Sequence, residues 1–327
     1  VSQGTVTLSQ LGTLRGPTEG VEGRLRAHRV TDGTVIWEVD TREVFGVVQN
    51  FFGVGSTPVI EGDLLIAAVG GSPPDPPSLW SGELQGNGSA IVGFDKLTGK
   101  VVYKSGDELA AYGSPVTATI GDRRWGFVFA RGGLMGFEPS TGKIDFHFPW
   151  RAKKIESVNA ASPVVVGDQV LVTEAYSLGS ALVRVRPGGF DVVRTDPPRR
   201  GQSLASHWST PIYHEGFLYG CSGEGSGEAD LRCVDFETGE VKWAQSLGSR
   251  LSLLFVDGHI VAQTERGSLA LVRANPEKAE LVTKAEYGEI LGQPTWGAPI
   301  LSHGILYLRG PKALLALELI PQQHSTE

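Results

Sequence analysis

Two patterns of hydrophobic and polar positions alternate along the chain. The first is an apolar strand, a turn with Thr-Gly or Asp-Gly, and a second strand that ends on an aromatic residue. Its copies run from Arg24 to Trp37, Ala90 to Tyr103, Gly133 to Phe146 and Asp230 to Trp243. The second is a small residue, a proline, a β-branched run, a Gly-Asp or Asp-Gly turn and another apolar strand, clearest at residues 56–66, 114–122 and 162–172. Glycine supplies the positive φ of tight hairpins and proline is tolerated where a strand begins, so each pattern predicts a β-hairpin.

The two hairpins together form a unit of four short antiparallel strands, here called A to D, which repeats about every 40 residues. This period, with one terminal aromatic residue per unit, is typical of a β-propeller. One unit cannot bury its own faces, so units must stack as blades, and we expect the D-strand aromatics to fill the layers between them. The sequence therefore predicts an all-β, seven-bladed β-propeller of four-stranded antiparallel blades, with eight blades as the alternative.

The ends of the chain carry incomplete copies. A strand is predicted over Thr5 to Leu11, and no proline pattern precedes Arg24, so the first blade lacks its A strand. The last copy, from Ala298 to Leu319, lacks a D strand. We predict a single propeller domain over residues 1–320, followed by a polar tail over residues 321–327. The missing strands, together with an export signal, are expected upstream of Val1 in a longer precursor.

Composition agrees with this fold and removes some functions. The 44 glycines, 19 prolines and 40% hydrophobic residues suit a turn-rich β protein with a core. The sequence contains no run of 18 apolar residues, which is the length that a membrane-spanning helix needs. The net charge of −7 argues against a nucleic-acid surface. Alignment of the blade-five and blade-six hairpins places Cys233 opposite Leu218 and Cys221 on the other face, which predicts two free thiols.

The segments Val92 to Lys100 and Leu231 to Gly239 resemble the PQQ-like propeller repeat family. Its members are exported bacterial proteins related in fold to quinoprotein dehydrogenases and to the outer-membrane assembly lipoprotein propeller. The resemblance implies a periplasmic or otherwise exported protein. Quinoprotein dehydrogenases of this fold use adjacent cysteines and a Ca²⁺ site beside the quinone, and this chain has no adjacent cysteines. No cofactor is therefore expected, and a PQQ-dependent oxidoreductase is kept as the alternative.

Strand direction separates the loops into two groups. The A–B and C–D turns lie on one face of the propeller and are short, whereas the D–A and B–C loops on the other face contain the long segments. Long loops on a rigid scaffold concentrate binding residues, so the D–A/B–C face is the predicted functional face. The residues that enter the A strands should surround the mouth of the central channel there. The candidate ligand-binding residues are Asn50, Phe52, Tyr112, Asn159, His207, Trp208, Arg250 and Trp296.

Aromatic rings, amides and one arginine around a funnel suit a sugar, a peptide or a small polar ligand. The alternative is that these side chains plug the channel and pack the loops. The seven histidines show no metal-ligand spacing, and the chain has no nucleophile elbow, phosphate loop or His-Glu-x-x-His. Asp95, Glu138 and Asp235 are expected to cap turns.

These observations predict a non-catalytic, exported, monomeric propeller that binds a protein or glycan partner through its long-loop face and funnel. Two enzymatic alternatives stay open. One is the quinoprotein-like oxidoreductase, and the other is a hydrolase or lyase that uses Asn159, His207 and Arg250.

Overall fold

The structure is a computed structural model that describes residues 4–8, 23–48, 51, 53–78, 84–157 and 159–319. Its strands form seven antiparallel sheets. Blade one contains β1 (Gly4–Leu8), β2 (Arg24–Arg29) and β3 (Val35–Asp40), and blade two contains β4 (Val59–Glu61), β5 (Leu64–Ala68), β6 (Ile91–Asp95) and β7 (Val101–Ser105). Blade three contains β8 (Val116–Ile120), β9 (Arg123–Phe129), β10 (Gly133–Phe137) and β11 (Ile144–Pro149). Blade four contains β12 (Val164–Val166), β13 (Gln169–Glu174), β14 (Gly179–Arg186) and β15 (Gly189–Thr195).

The remaining blades follow the same order. Blade five contains β16 (Ile212–His214), β17 (Phe217–Ser222), β18 (Asp230–Asp235) and β19 (Val241–Gln245). Blade six contains β20 (Leu251–Val256), β21 (His259–Thr264), β22 (Ser268–Arg273) and β23 (Glu280–Glu286), and blade seven contains β24 (Ile300–Ser302), β25 (Ile305–Arg309) and β26 (Leu314–Glu318). Two short helices, α1 (Thr41–Phe45) and α2 (Gly288–Leu291), lie in D–A loops. Neither helix is long and apolar enough to cross a membrane.

The sheets confirm the predicted seven-bladed β-propeller. Strands pair in chain order, and the first and last sheets have three strands among the described residues, as the incomplete end copies predicted. The first strand is β1, and the rest of the predicted Thr5 to Leu11 strand lies outside the described residues, as does the predicted tail at 321–327. The chain divides into a first compact unit, residues 1–176 with 181–195, and a second, residues 177–180 with 196–327. One domain over residues 1–320 stays a prediction.

The C–D hairpins share one local design. In blades one to six the register between the C and D strands shifts by one residue. The shift lies at the last pair before the turn in blades one, two, three and five, and further from the turn in blades four and six. In blade two, Asp95 Oδ1 accepts hydrogen bonds from the backbone nitrogen and the hydroxyl of Thr98, both at 2.8 Å. Asp235 caps Thr238 in the same way, and Glu138 Oε2 accepts from the Thr141 hydroxyl at 2.9 Å. The prediction that these acidic residues cap turns is confirmed.

Four D-strand aromatics contact the following blade within their own compact unit. Three of them donate a hydrogen bond to a backbone carbonyl in the C–D turn of the following blade. The bonds are Trp37 Nε1 to Lys96 O at 3.2 Å, the Tyr103 hydroxyl to Pro139 O at 2.8 Å and Trp243 Nε1 to Asn275 O at 2.8 Å. The fourth, Phe146, packs on Phe190 of the next blade with centroids 5.3 Å apart. The aromatics therefore fill the interblade layers, as predicted.

The predicted cysteine register is wrong by one residue. Cys233 pairs with Tyr219, and Leu218 pairs with Val234. Cys233 and Cys221 therefore face the same apolar cluster, where both are buried and free. The prediction took its register from the blade-six hairpin. The last pair of that hairpin is Gln263 with Leu269, so its loop contains five residues and not the four that were assumed.

Candidate functional site

The structure separates the eight candidate residues into groups. Asn50 and Phe52 lie outside the described residues. Tyr112 and Asn159 belong to the first unit, where the Tyr112 backbone nitrogen donates to Asn159 O at 2.9 Å. The other four candidates belong to the second unit and contact one another: His207, Trp208, Arg250 and Trp296.

The four residues of the second unit meet because they occupy related positions. His207 and Trp208 lie in the loop before β16, Arg250 directly precedes β20, and Trp296 lies in the loop before β24. All therefore sit where an A strand begins, in three successive blades. Glu265 directly follows β21, the B strand of blade six, and the Leu251–Thr264 pair places Glu265 one step beyond the sheet beside Arg250. A-strand starts and B-strand ends lie at the same end of an antiparallel blade.

Arg250 and Glu265 form a bidentate ion pair. Arg250 Nε donates to Glu265 Oε2 at 3.0 Å, and Arg250 Nη2 donates to Oε1 at 2.6 Å. The two side chains are only 18% and 9% exposed. The backbone nitrogen of Glu265 also donates to the Ser249 hydroxyl at 3.1 Å, which fixes the start of the B–C loop. A planar guanidinium held by two parallel bonds in a mostly buried position is rigid.

Glu265 is the acceptor on which other donors converge. Trp296 Nε1 donates to Oε1 at 2.8 Å, and the Ser226 hydroxyl donates to Oε2. Burial alone would raise the pKa of Glu265, but the bonds from Arg250, Ser226 and Trp296 outweigh it and lower the pKa to about 2. This carboxylate is therefore a fixed negative charge at neutral pH, and it is a poor general base.

Two indoles cover the ion pair. The guanidinium carbon of Arg250 lies 4.4 Å from the ring centroid of Trp208, a cation–π contact. The rings of Trp208 and Trp296 lie 6.1 Å apart at 57°. The Ser252 hydroxyl joins the Trp208 ring to the Trp296 backbone. It accepts a hydrogen bond from Trp208 Nε1 at 3.3 Å and donates one to Trp296 O at 3.0 Å. Trp296 is 50% exposed and Trp208 is partly buried, so an aromatic surface faces solvent above a rigid ion pair.

His207 completes this group, which we call the aromatic–arginine cluster: His207, Trp208, Arg250, Glu265 and Trp296. Arg250 Nη1 lies 2.9 Å from His207 Nδ1. A guanidinium can only donate, so Nδ1 is the acceptor and the ring proton lies on Nε2. Burial and then the charge of Arg250 lower the pKa of His207, which favours the neutral ring. The cluster therefore presents a neutral imidazole and two indole rings around a guanidinium whose position is fixed.

Asn159 behaves differently. Its side chain is fully buried, and its amide nitrogen donates to Ala130 O at 2.7 Å and to Trp150 O at 3.2 Å. These bonds tie the loop before β12 to the end of β11 and to the turn after β9. The arrangement matches the loop-packing alternative, and a role of Tyr112 or Asn159 in ligand binding stays a prediction.

Sequence reasoning missed Glu265 and Ser226. Both lie in B–C loops, and neither belongs to a recognisable motif. A signal was nevertheless present, because strands β20 and β21 pair as a hairpin. Counting back from its turn at Asp257 and Gly258 places residue 265 beside residue 250.

The residues do not fit the quinone and Ca²⁺ arrangement of the quinoprotein dehydrogenases. Cys221 and Cys233 are buried on neighbouring strands and are not adjacent in the chain, and burial raises the pKa of Cys221 to about 12. In the described part of the chain, no group of three His, Cys, Asp or Glu side chains could hold a metal ion.

Comparisons with known proteins place the chain in the PQQ-like class of β-propellers, as the repeat predicted. A family model described as outer membrane protein assembly factor BamB matches residues 21–277, and the chain belongs to this family. No curated protein sequence matches the chain significantly.

Solved structures share the fold at low identity. BamB from Moraxella catarrhalis is 14% identical with a TM-score of 0.58, and the match covers 93% of this chain and 78% of that chain. Quinohemoprotein alcohol dehydrogenase from Comamonas testosteroni is 12% identical with a TM-score of 0.57, over 88% of this chain and 60% of that chain. The computationally designed Ika8 protein is 10% identical with a TM-score of 0.57, over 92% and 79%. At these identities the similarity shows the fold.

Proposed function

We propose that this protein is a non-catalytic binding module that docks a partner protein on the aromatic–arginine cluster of its long-loop face. The observation that carries this proposal is the convergence of residues from three successive blades on one preorganised group. Trp and Arg are the residue types that dominate binding energies when they lie near the centre of an interface. A half-exposed Trp296 held by a hydrogen bond to Glu265 loses little side-chain entropy on binding.

Family membership supports a protein as the occupant. The matching family carries the name of an outer membrane protein assembly factor, and an assembly factor acts on other proteins. We propose the same kind of partner for this chain, together with an exported, periplasmic location and a monomeric state before the partner binds. A glycan could also stack on an indole, so it is tested as the competing occupant.

The experiment measures the affinity of an identified partner for matched variants. Trp296→Ala is expected to weaken binding by about 30-fold or more, because a hot-spot side chain contributes about 2 kcal/mol. Leu97→Ala is the control, since Leu97 is an exposed apolar residue (60%) in a C–D turn, on the predicted opposite face. Equal affinities for wild type and Trp296→Ala, or a larger loss in Leu97→Ala, would refute docking at the cluster. If the protein binds a glycan on an array and no protein partner, and if Trp296→Ala weakens that binding, the ligand of the cluster is a glycan and not a protein.

The oxidoreductase alternative rests on fold similarity to the quinohemoprotein alcohol dehydrogenase. Its test is reconstitution with PQQ and Ca²⁺, followed by quinone absorbance and a dye-linked dehydrogenase assay. Failure of the protein to bind the quinone removes this alternative.

A further inference from the structure

His207 contacts the aromatic–arginine cluster through a ring nitrogen that has to stay unprotonated. Arg250 Nη1 lies 2.9 Å from His207 Nδ1, and the same Nη1 donates to Glu224 O at 3.0 Å. A guanidinium has only donors and keeps its proton at every ordinary pH, so Nδ1 can contribute only a lone pair. A proton on Nδ1 would replace this hydrogen bond by two N–H groups that point at each other.

Charged groups from three segments of the chain act on His207. Arg250 directly precedes β20, Glu265 directly follows β21, and Glu224 lies in the loop after β17. Burial and then the charge of Arg250 lower the pKa of His207, Glu224 and Glu265 raise it, and the net direction is down from the ordinary value of 6.5. The ring is therefore neutral at pH 7 and takes up its second proton only at acid pH.

Arg250 is held too firmly to move when that proton binds. Its guanidinium makes two charge-assisted bonds to Glu265, at 3.0 and 2.6 Å, in addition to its bond to Glu224 O. Glu265 keeps its negative charge down to about pH 2, so the ion pair persists at the pH at which a histidine titrates. The charged imidazole is therefore the group that has to leave.

Trp208 is coupled to His207 by sequence and by packing. The two residues are neighbours in the chain, and their rings lie 5.3 Å apart at 47°. Trp208 also covers the guanidinium of Arg250 at 4.4 Å. The bond from Trp208 Nε1 to the Ser252 hydroxyl is long, at 3.3 Å, so it opposes a movement of the indole only weakly.

His259, in the same blade as Arg250, has the opposite arrangement. Its Nδ1 lies 2.7 Å from Asp257 O. A carbonyl only accepts, so this Nδ1 already carries a proton, and a second proton on Nε2 leaves the bond in place. His259 begins β21 beside the A–B turn, at the other end of blade six from Arg250, and it is a matched control.

We propose that protonation of His207 is a pH switch of the aromatic–arginine cluster, in which the charged imidazole leaves Arg250, Trp208 moves with it, and the aromatic surface that receives the partner is lost. The effect on the partner rests on the proposed function, whereas the movement of Trp208 does not. Binding is then strongest at neutral pH and weakens as the pH falls below the usual range of a histidine.

Fluorine NMR of the whole chain, labelled with 5-fluorotryptophan, tests the movement without a partner. The chain has seven tryptophans, and Trp208→Phe identifies the resonance of Trp208. That resonance should shift between about pH 7.5 and about pH 5 in the wild type and in His259→Gln. It should not shift in His207→Asn, because the amide oxygen takes the place of Nδ1, accepts from Arg250 and does not titrate. An unchanged resonance in the wild type, or the same shift in His207→Asn, would overturn the proposal.

The affinity of an identified partner over the same pH range tests the consequence. It should fall by about threefold or more in the wild type and by less than about twofold in His207→Asn, because one proton has to leave His207 before the partner binds. An equal fall in both proteins would overturn the role of His207 in binding. A shift of the Trp208 resonance, together with a partner affinity that Trp296→Ala leaves unchanged, would refute docking at the cluster and would retain its response to pH.

Discussion

The docking of each D-strand aromatic on the next blade predicts the effect of adding one methyl group at Gly99. This glycine occupies the Thr-Gly turn of blade two with φ of +70°, and its backbone nitrogen donates to Asp95 O at 2.9 Å. A Cβ atom at Gly99 would lie 2.6 Å from Trp37 Cε3 and 2.7 Å from Cδ2. The Trp37 ring cannot move away freely, because it is 9% exposed and is held by its bond to Lys96 O.

Gly33 is a matched control in the equivalent turn of blade one. Its φ is +74°, its backbone nitrogen donates to Arg29 O at 2.8 Å, and a Cβ there would meet nothing within 4 Å in the described part of the protein. Gly33→Ala therefore introduces only the strain of a left-handed alanine, about 1–2 kcal/mol, offset in part by the stiffer unfolded chain. Gly99→Ala adds overpacking of about 1–3 kcal/mol to the same strain.

Urea denaturation followed by tryptophan fluorescence measures both variants under the same conditions. We expect Gly99→Ala to lose about 1–3 kcal/mol more of the free energy of unfolding than Gly33→Ala. In a chain of this size each kcal/mol corresponds to about 1–2 °C in melting temperature. Equal losses would refute the reasoning, because they would show that the turn glycine is needed for its φ alone and that the Trp37 contact contributes nothing.

Three other substitutions test single groups. In the wild-type protein, stability should fall by on the order of 3 kcal/mol as the pH rises from about 4.5 to 7, because folded Glu174 retains a proton that the unfolded chain has released. Glu174→Gln should remove this fall. Measuring the free energy of unfolding of both proteins against pH checks this. The wild-type protein should also lose stability as the pH falls from 4.5 to about 2, because Glu265 becomes protonated in that range. Glu265→Gln should remove this loss and should lower stability at pH 7, because Arg250 loses its charged partner. Acid denaturation of the wild type and the variant checks this. Tyr103→Phe should lower the free energy of unfolding by about 1 kcal/mol, because the Pro139 carbonyl loses its donor, and no change in urea denaturation would contradict that bond.

Much of the fold could be predicted because each repeat depends on contacts between residues that are close in the sequence. Asp95 and Thr98 form a turn with their own side chains, and Trp37 ends its strand at a fixed distance from that turn, so both appear as short sequence patterns. Register across a longer connection is less local. A single extra residue between Gln263 and Leu269 was enough to misplace Cys233.

The candidate site was predictable only in part. Arg250 and Trp296 could be located because each precedes a recognisable A strand, and strand direction then places both at one end of their blades. Their grouping depends on Glu265, which joins Arg250 and Trp296 through hydrogen bonds that no alternation of polar and apolar residues encodes.

Site-specific photo-crosslinking tests the central claim most directly, since it asks which surface touches the partner. A photoreactive phenylalanine analogue is introduced in place of Trp296 and, separately, in place of Leu97, and both proteins are irradiated with a periplasmic and outer-membrane extract. The account predicts one major crosslinked protein from position 296, which disappears when Arg250→Ala is added, and none from position 97. Crosslinks from position 97 without any from position 296 would contradict it, because the partner would then bind away from the aromatic–arginine cluster.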